Sequence, residues 1–138
     1  MSNESVPLIN GIGDLLAEDG DYPLDSTLLY AEVDEGYVAP SIYKDLGNHI
    51  LYREPDLDRL GDALLDLWEA QSFDDRWAAI EYVVREGRFE ATYIYPDAID
   101  PEELLHDRVQ RVVRRYFGDK PIIYPPWPPD DDAAHFTL

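Results

Sequence analysis

The sequence predicts an α+β fold, an antiparallel sheet of about four to five strands flanked by about three helices. Three observations predict it. Two pairs of β-branched and aromatic runs, TLLYAEVD with YVAPSIYK and RWAAIEYVV with RFEATYIY, are each joined by a short turn containing glycine. Two stretches with apolar residues at helical spacing, one after Pro55 and one after Asp100, separate and follow these pairs. A chain of 138 residues that is 45% apolar and 12% aromatic suffices for one domain with a buried core.

The elements follow in order. Over 5–18, Leu8, Ile9, Ile12, Leu15 and Leu16 recur at helical spacing, although Gly11 and Gly13 each weaken a helix by about 1 kcal/mol relative to alanine. DGDYPLDS is turn chemistry, and the first hairpin crosses Asp34-Glu35-Gly36. Pro40 cannot donate a ladder hydrogen bond, so the second strand reads as an edge or as bulged there. NHILYR reads as a short third strand.

Pro55 opens a helix in which Leu57, Leu60, Leu64, Leu67, Trp68 and Gln71 form one stripe, while Asp56, Asp58, Arg59, Asp62, Asp66 and Glu69 make the outer face acidic. The second hairpin turns at Arg85-Glu86-Gly87, and its Phe89, Ala91, Tyr93 and Tyr95 alternate onto one face. Asp100-Pro101-Glu102-Glu103 has the form of a helix cap, followed by Leu105, Val109, Val112, Val113 and Tyr116 at helical spacing. Arg114 and Arg115 suit the last turn of that helix, and Gly118 can close it. The order is α-β-β-(β)-α-β-β-α. Residues 1–120 read as a single domain and 121–138 as a proline-rich, acidic C-terminal tail holding five of the eleven prolines. Helices packed on one face of such a sheet would leave its other face to solvent or a partner.

Charge is the strongest compositional signal. Thirty acids against eleven bases give a net of -19, and the imbalance is segregated: 1–107 hold 26 acids and 6 bases, whereas 108–129 hold 5 bases and 1 acid. Such a field repels phosphate backbones, so no direct nucleic-acid partner is expected, and it accelerates encounter with a basic protein. No run is apolar enough for a membrane span and MSNESVPLIN lacks a signal-peptide pattern, so no membrane contact and a cytoplasmic location are expected. Without cysteine the chain has no disulfides, thiolate metal ligands or cysteine nucleophile.

A search for catalytic chemistry finds little. His49, His106 and His135 stand in a strand, a helix and the tail, without metal-ligand spacing. The serines lie in no nucleophile motif. NGIGD lacks the third glycine of a nucleotide loop, and neither Asp130-Asp131-Asp132 nor the acids of 14–25 follow a calcium-loop pattern. With so many acids, paired carboxylates carry no information about glycoside chemistry. Arg108, Arg111 and Arg115 form a stripe whose simplest account is ion pairing with Glu102, Glu103 and Asp107. No enzyme activity, metal or cofactor is expected, a hydrolase with unrecognised carboxylates being the least favoured class.

The hairpin LLYAEVDEGYVAPSIY, the acidic leucine helix ending in Trp68, RWAAIEYVVREGRFEATYIYPD and RRYFG together resemble the small bacterial immunity proteins of the YezG-like type. The likeness covers roughly 28–118, with Trp77, the Gly87-Arg88-Phe89 turn, Tyr95 and Asp97 at matching places; Pro96 and the proline-rich tail depart from it. The resemblance implies an α+β fold and a non-enzymatic role, that of an antitoxin neutralising a cognate toxin protein. The toxin that the acidity fits best is a basic nuclease domain, whose phosphate-binding groove an acidic, tyrosine-bearing surface would mask. The residues expected at that surface are Glu32, Asp34, Glu35, Asp74, Asp75, Glu81, Glu90, Tyr95 and Asp97, on a monomer or a homodimer. The alternative is an acidic adaptor or regulatory subunit that binds through helix faces and PPWPP.

Overall fold

The computed structural model describes residues 5–125. The chain runs α1 (Ser5–Leu16), β1 (Thr27–Asp34), β2 (Tyr37–Asp45), β3 (Ile50–Arg53), α2 (Leu57–Glu69), β4 (Ala79–Arg85), β5 (Arg88–Ile94), α3 (Leu105–Phe117) and β6 (Ile122–Ile123), with 3-10 turns at Phe73–Asp75 and Pro96–Ala98. This is an α+β fold. Its six strands lie in the order β5-β4-β1-β2-β3-β6, all neighbours antiparallel except β3 and β6. The sheet is therefore mixed, and one strand larger than expected. The extra strand comes from the first residues of the expected tail, where Ile50 pairs with Ile122 and Leu51 with Ile123. Trp127, Asp130-Asp131-Asp132, His135 and most of PPWPP lie outside the described residues.

Both hairpins form where the turn glycines predicted them, with Gly36 at φ 69 and Gly87 at φ 74, a region where a Cβ is disfavoured. β3 pairs only with Ile42 to Asp45, so β2 is locally an edge at Pro40 and its missing N–H leaves no ladder bond unmade there. α2 starts after the expected Pro55. Asp56 is its N-cap, its carboxylate accepting from the Arg59 N–H at 3.1 Å.

Helices cover both faces of the sheet, which corrects the expectation of one open face. On one face, Leu29, Ala31, Val33, Ile80, Tyr82 and Val84 pack under Ile9, Ile12 and Leu16 of α1 and Leu60, Leu64, Leu67 and Trp68 of α2. On the other, Leu28, Tyr30, Tyr43, Ala79 and Val83 pack under Val109, Val112, Val113 and Phe117 of α3. β1 is accordingly buried along almost its whole length. The continuous apolar runs LLYA and YVV are what two-sided burial requires, since a half-exposed strand would alternate with polar residues.

The N-terminal cap expected at Asp100 does not form. α3 begins at Leu105 after an N-cap Leu104 that makes no side-chain cap bond. The loop before it is held by Arg108, whose Nη1 donates to the Asp100 and Glu103 carbonyls, both at 3.0 Å, while the Asp100 carbonyl also accepts from the Glu103 N–H at 3.2 Å. The Asp100 carboxylate instead accepts from the Glu102 N–H at 2.9 Å, an Asx turn.

Gly11 and Gly13 of α1, equivalent by helix propensity, differ in the packed structure. A Cβ on Gly11 meets nothing within 4 Å, whereas one on Gly13 would stand 2.7 Å from the Tyr82 hydroxyl. Tyr82 cannot yield easily, being fully buried, stacked on Phe89 at 5.1 Å and donating to the Ile9 carbonyl at 3.3 Å. Gly11→Ala is expected to stabilise the fold by about 0.5–1 kcal/mol, and Gly13→Ala to destabilise it by about 1–2 kcal/mol despite the same gain in propensity. Urea unfolding of both variants checks this, and Gly13→Ala combined with Tyr82→Phe should recover part of the loss.

Candidate functional site: the acidic end of the sheet

The hairpin registers bring four chain segments to one end of the sheet. Asp34 and Tyr37 close the β1–β2 turn; Glu32 pairs with Ala79 at the start of β4, and Ala79 pairs with Ile94 at the end of β5. The loop from α2 into β4 and the segment leaving β5 therefore emerge beside the first turn. Tyr95, Asp97, Asp74 and Asp75 arrive there with Asp34 and Glu35, and all six side chains are exposed.

Short-range bonds hold these segments in place. Asp34 accepts from the Glu35 N–H at 2.8 Å, which fixes the turn. Ser72 donates from Oγ to the Asp75 carboxylate at 2.8 Å while its carbonyl accepts from the Asp75 N–H at 2.9 Å, closing the 3-10 turn. The indole N–H of Trp68 donates to the Trp77 carbonyl at 2.8 Å, pinning the end of α2 to the strand that follows.

Beneath the acids lies a groove of about 330 Å³ lined by Val33, Asp34, Glu35, Trp68, Phe73, Arg76, Trp77, Ala78 and Pro96. Its walls are mainly apolar and its rim is anionic. Phe73 is 78% exposed, and the Arg76 guanidinium lies 5.4 Å from its ring and 4.3 Å from that of Trp68. Trp77 is buried and stacks on Tyr93 at 5.6 Å. Phe73, Trp68 and Arg76 went unrecognised as site residues in the sequence. The signal for Phe73 and Arg76 is SFDDRW itself, an aromatic pair bracketing two acids with no helical or strand period, whereas Trp68 is read as part of the apolar stripe of α2.

Three expected site residues lie elsewhere. Glu90 is exposed on the edge strand β5, opposite Val83 and away from the acidic end. Glu32 and Glu81 are enclosed beneath α3, so neither carboxylate is offered to a partner. Glu32 accepts from Arg108 through Nε at 2.5 Å and Nη2 at 3.1 Å, and from the Tyr30 hydroxyl at 2.7 Å. Glu81 is 2% exposed and is met by Arg115 at 2.5 Å and the Tyr116 hydroxyl at 2.7 Å. Burial, together with the neighbouring carboxylates, raises the pKa of Tyr30, and that of Tyr116 to about 12, so both remain hydrogen-bond donors at physiological pH.

The arginine stripe of α3 is internal pairing, as expected, but of the expected partners only Glu103 takes part. Arg111 takes Glu103, at 2.9 Å from Nη2, while Arg108 and Arg115 reach across to the sheet. The three arginines line a cleft between α3 and the sheet, with Tyr30, Glu81 and Thr92, and each is paired with a carboxylate of the chain itself. The opposite end of the sheet is of mixed sign, with Arg85 and Arg88 beside Asp25, Glu86 and Glu90.

Among the described residues no group of three or more His, Cys, Asp or Glu is placed to hold a metal ion. His49 contacts the Asn48 side chain at 2.7 Å and His106 the Gln110 side chain at 2.9 Å, each a neighbour from its own segment. Among the described residues no helix is long and apolar enough to cross a membrane. Comparison of the chain with protein-family models finds no match, and comparison with curated proteins finds none. The likeness to YezG-like immunity proteins rests on the motifs quoted above.

Proposed function

We propose that the chain is an immunity-type inhibitor that binds a basic toxin domain, a nuclease in the first instance, and masks its cationic active site without catalysis. The observation that carries this reading is a mainly apolar groove whose lining includes Asp34, Glu35 and the exposed Phe73, with Asp74, Asp75 and Asp97 exposed on the segments that supply its Phe73, Arg76 and Pro96. Exposed carboxylates in the company of Phe73, Tyr37 and Tyr95 suit recognition: the charge guides encounter, and the rigid aromatic area supplies contact at little entropic cost. A net charge of -19 costs stability through self-repulsion, and a cationic partner would offset that cost in the complex.

Rescue from toxicity is the direct test. Co-expressed with the C-terminal domain of the polymorphic toxin encoded beside it, the protein should restore growth and inhibit the purified domain at a one-to-one ratio. Continued toxicity with soluble protein present, or the absence of any such neighbouring toxin, would overturn the reading.

A further inference from the structure

We infer that the groove between the β1–β2 turn and the 3-10 turn Phe73–Asp75 receives an extended, arginine- or lysine-bearing segment of the basic protein partner, with Phe73 as the apolar anchor. This rests on the proposed function and adds the place and chemistry of contact.

The groove's composition matches such a segment. Val33, Trp68, Phe73, Trp77 and Pro96 offer apolar wall to the long stems of lysine and arginine, while Asp34 and Glu35 stand where the cationic heads would leave it. At about 330 Å³ it lies at the lower end of the ~300–1,000 Å³ of small-molecule sites, which suits one or two side chains. Phe73 has no role in the core that explains its position, since it is 78% exposed on a three-residue turn. Aromatic residues, phenylalanine among them, are enriched at the cores of protein interfaces.

A second observation favours a peptide over a free polyamine. Arg76 Nε and Trp77 Nε1 are buried and have no hydrogen-bond partner among the described residues, and both residues line this groove. Buried donors are nearly always paired, so the site lacks acceptors. A peptide segment carries carbonyl oxygens between its cationic side chains, whereas a polyamine carries donors alone. The chain's own 126–138 is an unsuitable occupant, because it contains three aspartates and neither lysine nor arginine.

The test uses the full chain with labelled indole nitrogens and three probes: an acetylated, amidated pentapeptide of alternating leucine and arginine, its glutamate counterpart, and spermine. The arginine peptide should shift the Trp68 and Trp77 indole N–H resonances saturably, the Trp77 signal moving downfield as it gains an acceptor. Phe73→Ala, and separately Asp34→Asn with Glu35→Gln, should each weaken the peptide by about tenfold, as expected for an anchor residue or its charged rim. Spermine and the glutamate peptide should leave Trp77 unmoved. A Trp77 signal that stays fixed at peptide saturation, or equal affinity for Phe73→Ala, overturns the groove assignment. In that case successful rescue from toxicity would show that the partner binds another acidic surface; failed rescue would end the broader reading as well.

Discussion

Arg108→Ala should destabilise the protein by about 3–5 kcal/mol, the cost of leaving a buried carboxylate without its partner. The side chains of Arg108 and Glu32 are 10% and 14% exposed, and they join α3 to the central strand β1 through a two-point contact. Removing the guanidinium strands Glu32 beneath α3 and also frees the Asp100 and Glu103 carbonyls that shape the loop before the helix. The hydrogen bond to Glu32 is also the main cause raising the Arg108 pKa further, so the arginine stays charged throughout. Glu32→Ala should cost a similar amount. The double variant Arg108→Met, Glu32→Leu should lose less than either single change, because it leaves no unpaired buried charge.

The exposed pair Arg59–Glu18 provides the control. Its contact is as short, 2.6 Å, but its side chains are 56% and 52% exposed. Arg59→Ala should therefore cost far less than Arg108→Ala. Distance does not separate the two pairs; burial does. Urea unfolding with a common slope for all variants measures these values, and an Arg108→Ala loss as small as that of Arg59→Ala would show that the α3 contact is solvated.

Much of the fold was readable because turn and strand chemistry agree locally. TLLYAEVD became β1 residue for residue, and the two Gly-bearing turns fixed both hairpins. The placement of α3 was harder to read. It depends on which face of the sheet a helix joins, and the clue was the lack of alternation in LLYA and YVV. Glu32 and Glu81 were read as surface residues because lone carboxylates are rarely buried. What admits them to the interior is a set of arginines distant in sequence, Glu32 and Arg108 being 76 positions apart. Lys44 is hidden for the same reason: it is 2% exposed, with its ammonium held by the Pro23 carbonyl at 2.8 Å and Thr27 Oγ1 at 3.0 Å. Burial lowers its pKa, against the opposing pull of Asp19. The acids of the candidate site were readable singly as turn residues, but their meeting point was not, since it follows from the registers of three strand pairs.

Charge reversal at the acidic end should slow association with the toxin domain by about tenfold or more at low salt, within the 10–10³ range that electrostatic steering supplies. The comparison needed is between two variants of equal net charge, Asp34→Lys with Glu35→Lys and Asp62→Lys with Asp66→Lys. All four positions are exposed, the second pair on the outer face of α2. If only the total charge of -19 mattered, both variants would slow association alike. If the acidic end is the contact surface, the first should be the slower, because the field at the docking site governs productive encounter. At about 1 M salt the Debye length falls to roughly 3 Å and the two rates should converge, while a difference in dissociation caused by lost direct contacts would persist. Stopped-flow association across a salt series separates these terms. Neither pair should alter stability by much more than about 0.5 kcal/mol, since exposed positions tolerate substitution. Equal slowing by both variants at every salt concentration would assign steering to the whole acidic surface and remove the acidic end from its place as the docking site.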